Sequence, residues 1–424
     1  MKRLFVLILV ALAVAGAWSQ TLTVMENGYS TVSEAEAKFR YAGGPIEWIT
    51  QRFAAANKIT INTVYRDVSK GSMTFDALLA AGNPPDVWRD AGGYMISYMN
   101  DSYALQLEKY LDLRDYDPAL LSLWTKDGHV YCLPFSNIAT GMAVNLSMLK
   151  QIGYTLPPIE KWTTDEFLIL SARLKSAGIP ATMIMGKGGF NGWTDVWFYA
   201  FGAKMFGADT SRVAINSREA LAALDYMKTL IDRGYTPPPL EINDDDGVEM
   251  FTTNLVFSCM MQNGHTDGWF PQQLANGKIA KVPEYTFIEF PHAPALKHTP
   301  VSGYQSVVLT HKNKNEATNK LIAALAKELS GYEAQWYYCT VAGGFPALKD
   351  FAPDIGTAAA PSYKAIAKLP GVAGVYKEWP DGPQFQEVKR LWVSMSEQWL
   401  RGKLTAAAFL SQYEAQANAI LAKK

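Results

Sequence analysis

Apolar and polar positions alternate along this chain with two different periods, and the switches between them mark its elements. Leu22-Thr23-Val24 reads as a first strand, and Ile59 to Tyr65, alternating apolar and polar, as a second. Between them Pro45 to Ala56 carries the helical period, with proline in the first turn after Gly43-Gly44. Phe75 to Ala81 is an alanine-rich helical run that Gly82-Asn83-Pro84-Pro85 must stop, because two prolines fix φ and remove two backbone donors. Asp86-Val87-Trp88 then re-enters as a short strand. Thr163 and Glu166 stand in capping-box spacing and predict a helix that runs to Lys175 and stops at Gly178. Asn216-Ser217 predicts another, with Leu221, Leu224, Met227 and Ile231 as its buried stripe and Gly234 with Pro237-Pro238-Pro239 as its end. Leu255 to Met261 reads as an apolar strand. Thr405 starts a last helix with Phe409, Tyr413, Ala417, Ile420 and Leu421 on one face.

Strand and helix patterns that alternate in this way predict an α/β fold with largely parallel sheets. In open α/β sheets ligands bind at one edge, outside the carboxyl ends of the strands. The strand leaving the Gly/Pro turn delivers an aromatic there, which suits a binder better than an enzyme. No repeat of 20–50 residues is visible, which excludes solenoids and propellers. No long Ser/Gly linker separates two halves, so two lobes joined by several short crossings fit better than two tethered domains.

Composition narrows the class. The 424 residues suffice for two or more domains. With 19% charged residues and a net charge of -1 there is no basic field to attract nucleic acid or anionic lipid. Residues 1–20 read as an export signal: Lys2 and Arg3, the apolar run Leu4 to Val14, then small-x-small cleavage sites at Ala15-Gly16-Ala17 and Ala17-Trp18-Ser19. That run is shorter than the roughly 20 residues of a spanning helix. No cysteine stands near the cleavage region, so the expectation is a periplasmic protein whose signal is removed and which carries no N-terminal lipid. Cys132, Cys259 and Cys339 each lie in an apolar stretch and are odd in number, which predicts buried, unpaired thiols.

The familiar catalytic constellations are missing from the sequence. His129, His265, His292, His298 and His311 form no i, i+4 pair for zinc, and no Gly-x-Ser-x-Gly elbow occurs. Asn243-Asp244-Asp245-Asp246-Gly247 fails the EF-hand register, which would put its first ligand at Ile242 and its bidentate ligand at Thr253. It reads as a solvated acidic loop, and Gly186-Lys187-Gly188-Gly189 as a turn. A glycosidase carboxylate pair needs only proximity in space and stays open. The aromatics say more. Asn191-Gly192-Trp193-Thr194-Asp195-Val196-Trp197 and Gln262-Asn263-Gly264-His265-Thr266-Asp267-Gly268-Trp269 mix indoles with amides and carboxylates. Sugar sites use that mixture, flat π-faces for C–H-rich ring faces and polar groups for hydroxyls. Trp269 reads as a ligand aromatic, Trp193 as either ligand or core, and Trp197 as core.

Gly82-Asn83-Pro84-Pro85-Asp86-Val87 resembles the Gly-x-Pro-Pro-Asp-Val turn of the sugar-type extracellular solute-binding proteins of bacterial ATP-binding-cassette importers, the broad maltose-binding-like family. Asp127-Gly128-His129-Val130-Tyr131-Cys132-Leu133-Pro134 resembles the family's Asp-Gly-Lys-x-Tyr-Gly-Leu-Pro. Asn145, Leu149, Gly153 and Pro157-Pro158 resemble its Tyr-Asn-Lys, Gly, Pro-Pro run, with Val144 in place of Tyr and Lys161-Trp162 in place of Thr-Trp. Glu333-Ala334-Gln335, Gly343-Gly344-Phe345-Pro346 and Gly402-Lys403-Leu404-Thr405 follow in the family's order. The resemblance covers nearly the whole mature chain.

It implies an α/β, two-lobed periplasmic-binding-protein fold with a ligand cleft between the lobes: 21–139 plus 305–342 in one, 140–304 plus 343–424 in the other. Crossings fall near Ile138 to Gly141, Ser302 to Gln305 and Val341 to Pro346. Ligand contacts carried over by matching loops are Trp88, Asp90, Tyr94, Asn137, Trp193, Asn263, His265, Trp269, Tyr304 and Gln305, with Glu26, Asn27 and Tyr29 as further cleft candidates. The implied function is delivery of a carbohydrate, an oligosaccharide, to transmembrane permease subunits by a monomer that needs no cofactor. The rivals are the same fold binding a non-sugar, such as a polyamine or amino-acid derivative, and an exported glycoside hydrolase.

Overall fold

The structure is a computed structural model that describes residues 20–28, 43–67, 72–190, 194–207, 211–262, 265–299, 303–341, 344–349, 351, 365–366, 369 and 384–423. The expected export signal, residues 1–20, lies outside the described residues but for Gln20. Among those described, no helix is long and apolar enough to cross a membrane.

A seven-stranded sheet organises the chain. Its strands are β1 (Thr21–Gly28), β2 (Thr60–Asp67), β3 (Val87–Ala91), β6 (Cys132–Asn145), β7 (Ser258–Gln262), β8 (Tyr285–Ile288) and β9 (Gly303–Thr310), in the order β2-β1-β3-β9-β6-β7 with β8 also on β6. A small hairpin, β4 (Thr125–Lys126) and β5 (His129–Val130), stands apart. The expectation of largely parallel pairing is corrected. Among the described strands only β1 pairs parallel, with β2 and β3, while β9, β6, β7 and β8 pair antiparallel. The first three strands follow one another through helical crossovers, α1 (Gly43–Asn57) between β1 and β2 and α2 (Met73–Ala80) between β2 and β3, which set them side by side in parallel.

Local signals set the ends of elements as the sequence predicts. Gly82 takes φ +74 beyond the last turn of α2, a conformation glycine adopts without strain. Asp86 then accepts the backbone N–H of Thr23 at 2.7 Å, tying the Gly/Pro turn to β1. Thr163 caps α5 (Thr164–Ser176) by accepting from the Glu166 N–H at 3.2 Å. The Glu166 carboxylate takes the Tyr154 hydroxyl, so the expected reciprocal arm has a different partner. Ser217 and Thr405 cap α7 (Arg218–Asp232) and α13 (Ala406–Leu421). On α7 the fully buried stripe is Ala220, Ala223, Leu224, Met227 and Leu230, and Leu221 and Ile231 flank it half-buried. The acidic run expected as a loop is a helix start. Asn243 and Asp246 close a capping box at the head of α8 (Asp244–Thr252), where carboxylates suit the helix dipole.

The apolar core falls into clusters on either side of a junction. Leu22, Val24, Phe53, Leu133, Val308 and Leu325 pack one side of the first half's sheet, under α1 and α10 (Glu316–Leu329). Phe75, Trp88, Tyr103, Trp124 and Leu309 pack the other. The second half is built around Phe167, Trp197, Met227, Trp392 and Tyr413, with a further cluster at Phe251, Met261, Phe270 and Phe287. Trp197 is core, as expected, at 2% exposure. The three cysteines are buried and form no disulfide among the described residues, and burial pushes the Cys132 and Cys339 thiols upward. Residues 347–349, expected in the second half, are hydrogen-bonded to the first: Ala347 and Leu348 N–H to the Gln335 Oε1 and Lys349 N–H to the Asp115 carbonyl.

Candidate functional site

Three chain segments meet where the halves join. β6 is 14 residues long and changes partners along its length: residues up to Ala139 pair with β9, and those from Thr140 onward with β7 and β8. β9 begins opposite Ala139, at Gly303. Phe345 exchanges both backbone hydrogen bonds with Asn137, each at 2.8 Å. The expected crossings are thus neighbours in space.

Two further elements leave the sheet at this edge. β3 ends at Ala91, opposite Ser306, and a 3-10 turn at Gly92–Tyr94 follows directly. That turn packs so closely that a Cβ at Gly92 would lie 1.9 Å from the Trp124 ring, so only glycine lets the chain deliver Tyr94 here. On the other side, Gln262 ends β7 opposite Thr140, and α9 (His265–Ala275) starts three residues later. Tyr94, Asn137 and Trp269 therefore stem from elements that converge on the junction, and each is half-buried. Trp269 lies inside α9 rather than on a loop and packs against the Phe251–Phe287 cluster. Tyr304 and Gln305 stand opposite Ile138 and Asn137 in the β6–β9 register. Trp193 and Asn263 lie outside the described residues, as do Tyr29 and the side chains of Asn27, His265, Tyr304 and Gln305.

Two expected contacts are corrected. Trp88 is 1% exposed, stacks on Phe75 at 4.3 Å between centroids, and gives its indole N–H to Asp90 at 3.1 Å. β3 is a central strand, and apolar clusters pack on both faces of its sheet, Val87 in one and Trp88 in the other, so an aromatic on it becomes core. Asp90 is equally buried. Its Oδ1 accepts the Ala91 N–H at 2.6 Å and its Oδ2 binds the Nε and Nη2 of Arg66. Glu26 also points inward: it pairs with Arg89 at 3.2 Å, and the Arg89 guanidinium lies 3.6 Å from the centroid of Phe135. Burying a charge is costly unless it is paired and hydrogen-bonded, and these two arginines neutralise both carboxylates behind the site.

Two residues outside the expected set bear on the junction. Lys389, on α12 (Phe385–Leu400) of the second half, places its ammonium 5.6 Å from the centroid of the Tyr94 ring, and the Arg66 guanidinium lies 4.7 Å from the same centroid. Asp195, which the sequence offered as a polar neighbour of Trp193, is 1% exposed and turned into the core. Its Oδ1 accepts the Trp392 indole N–H at 3.0 Å, and its Oδ2 has no hydrogen-bond partner among the described residues. Burial pushes its carboxyl up to about 7, against the opposing pull of the Trp392 hydrogen bond and the Lys389 charge. Among the described residues no cluster of three or more His, Cys, Asp or Glu could hold a metal.

Comparison with known proteins places this arrangement. The profile of the family described as bacterial extracellular solute-binding protein matches residues 48–368. Among solved structures, an ABC transporter solute-binding protein from Thermotoga lettingae bound with α-D-tagatose superposes with a TM-score of 0.76 at 20% identity, covering 95% of this chain and 100% of that one. Maltose-bound T. maritima MalE3 gives 0.75 at 18%, covering 95% and 100%. A chitin oligosaccharide binding protein gives 0.76 at 20%, covering 95% and 99%. Likeness at this identity establishes a shared fold, two-lobed and α/β. No curated protein matches the chain by sequence.

Proposed function

Because the chain belongs to the bacterial extracellular solute-binding proteins, we propose that it is the periplasmic receptor of an ABC importer. In this reading it takes a carbohydrate, an oligosaccharide, into the groove at the junction and delivers it as a monomer to membrane permease subunits. The first lobe then comprises 21–139 with 305–349 and Phe351, which stacks on Tyr332 and Trp336, and the second the remainder. The observation that carries the reading is the convergence of Tyr94, Asn137 and Trp269 on the three-segment junction. Aromatic faces beside an amide suit a sugar, and adjacent crossings can flex as one hinge so that closing buries the solute. The solutes named for the superposable structures, tagatose, maltose and chitin oligosaccharide, point the same way. A polyamine would need carboxylates facing the groove, and Glu26 and Asp90 are each held by an arginine.

Calorimetric titration with malto- and chito-oligosaccharides, followed by chromatography of the recovered sugar, tests this. The expected outcome is saturable binding of one series with the sugar intact. Shortened products would establish a hydrolase, and absence of heat with every series would overturn the sugar reading. Within the same experiment Trp269→Ala should weaken binding roughly 30- to 150-fold. The figure combines about 0.5–1.5 kcal/mol of stacking with the burial of part of an indole, about 2–3 kcal/mol in all. Unchanged affinity in a variant with a lowered melting temperature would make Trp269 purely a packing residue.

A further inference from the structure

We propose that Lys389 is a latch across the groove, its ammonium on the second half holding the Tyr94 ring of the first and favouring the closed arrangement of the halves. The inference rests on the reading above that the halves close about their junction. Both ends of the contact are fixed to their own cores. On the second half, α12 is anchored one turn beyond Lys389, where Trp392 is fully buried and bonded to Asp195 and Ser396 accepts the Phe190 backbone N–H at 2.7 Å. The helix cannot carry Lys389 away from Tyr94 except by moving with the whole second half. On the first half, Tyr94 packs against the Trp88 cluster and faces Arg66, which Asp90 holds by two nitrogens. An aromatic ring face is negative and attracts an ammonium, and at a half-exposed site the attraction is modest and weakened by salt. Because the partners belong to different halves, the contact exists only while they are together, and its free energy enters the open–closed equilibrium directly. A contact of this kind shifts that ratio by about two- to fivefold.

Small-angle scattering of the solute-free, full-length mature protein tests the latch, so the outcome does not depend on which solute binds. At low salt, Lys389→Met and Tyr94→Leu should each lower the closed-to-open ratio by about two- to fivefold, seen as a larger radius of gyration. Their double variant should be no more open than either alone, and Lys389→Arg should remain closed, since guanidinium also stacks on aromatic rings. Raising NaCl to about 0.5 M should open the wild type and leave Lys389→Met unmoved. Thermal melts of each variant separate loss of folding from opening, and Lys389→Gln serves as a second probe of the same charge. An unchanged radius in both Lys389→Met and Lys389→Gln, or single effects that add in the double variant, would overturn the proposal. Failure of the sugar reading would show instead in the titrations, with the scattering result standing.

Discussion

Arg66→Met should cost the protein about 3–5 kcal/mol, the usual cost of leaving a buried carboxylate without its partner. The Arg66 and Asp90 side chains are 0% and 1% exposed, so Asp90 has no route to bulk water when its guanidinium is removed. The Trp88 indole N–H and the Ala91 N–H would still reach it, but two neutral donors do not replace a cation. The melting temperature should fall by roughly 10 °C. Replacing both members, Arg66→Met with Asp90→Leu, should recover most of the loss, because two apolar side chains of similar volume carry no desolvation cost. Denaturant melts of the two single variants and the double variant form the required cycle. A loss below about 1 kcal/mol in Arg66→Met would mean that water reaches Asp90 and that the pair does not stabilise this edge.

Asp195→Asn should remove a pH dependence on the order of 4 kcal/mol. The carboxyl is raised from 3.8 to about 7, so the folded protein holds a proton that the unfolded chain has lost. Stability from this group is therefore complete below about pH 4, declines as pH rises through the window up to about 7, and is gone above it. The gap between the two values corresponds to on the order of 4 kcal/mol. The titratable groups that face Asp195 are Lys389 on α12, whose charge favours ionisation, and Tyr413 on α13, whose hydroxyl burial pushes upward and keeps neutral. Asparagine keeps an acceptor for the Trp392 N–H and carries no charge at any pH. The variant should match the wild type near pH 4 and exceed it at pH 8. The difference between the two stability–pH curves isolates this one group. Parallel curves from pH 4 to 8 would show that Asp195 is ionised and partnered.

What could be read from the sequence alone was what the backbone decides over a few residues. The Gly/Pro stop after α2, the caps at Thr163, Ser217 and Thr405 and the first two strands are all where the pattern puts them. The acidic run expected as a loop starts a helix because capping depends on where the chain turns helical, and the same Asn-x-x-Asp spacing serves either. The family motifs fixed the fold because a series of weak turn signals in a set order leaves few alternatives.

Side-chain roles at the junction were a different matter. Nothing near Trp88 distinguishes a central strand from an edge strand. That follows from β9, which arrives more than two hundred residues later and pairs alongside β3. The Arg66–Asp90 and Arg89–Glu26 pairs depend on the register of β1 with β2 and β3, and Lys389 meets Tyr94 from the far end of the chain. Backbone conformation is set by sterics and hydrogen bonds between neighbours, so the sequence determined the elements, their ends and the order of the fold. Burial and charge pairing are set by which surfaces the packed elements bring together. Only the tertiary structure could therefore decide that Trp88 and Asp90 belong to the core and that Lys389 meets the Tyr94 ring.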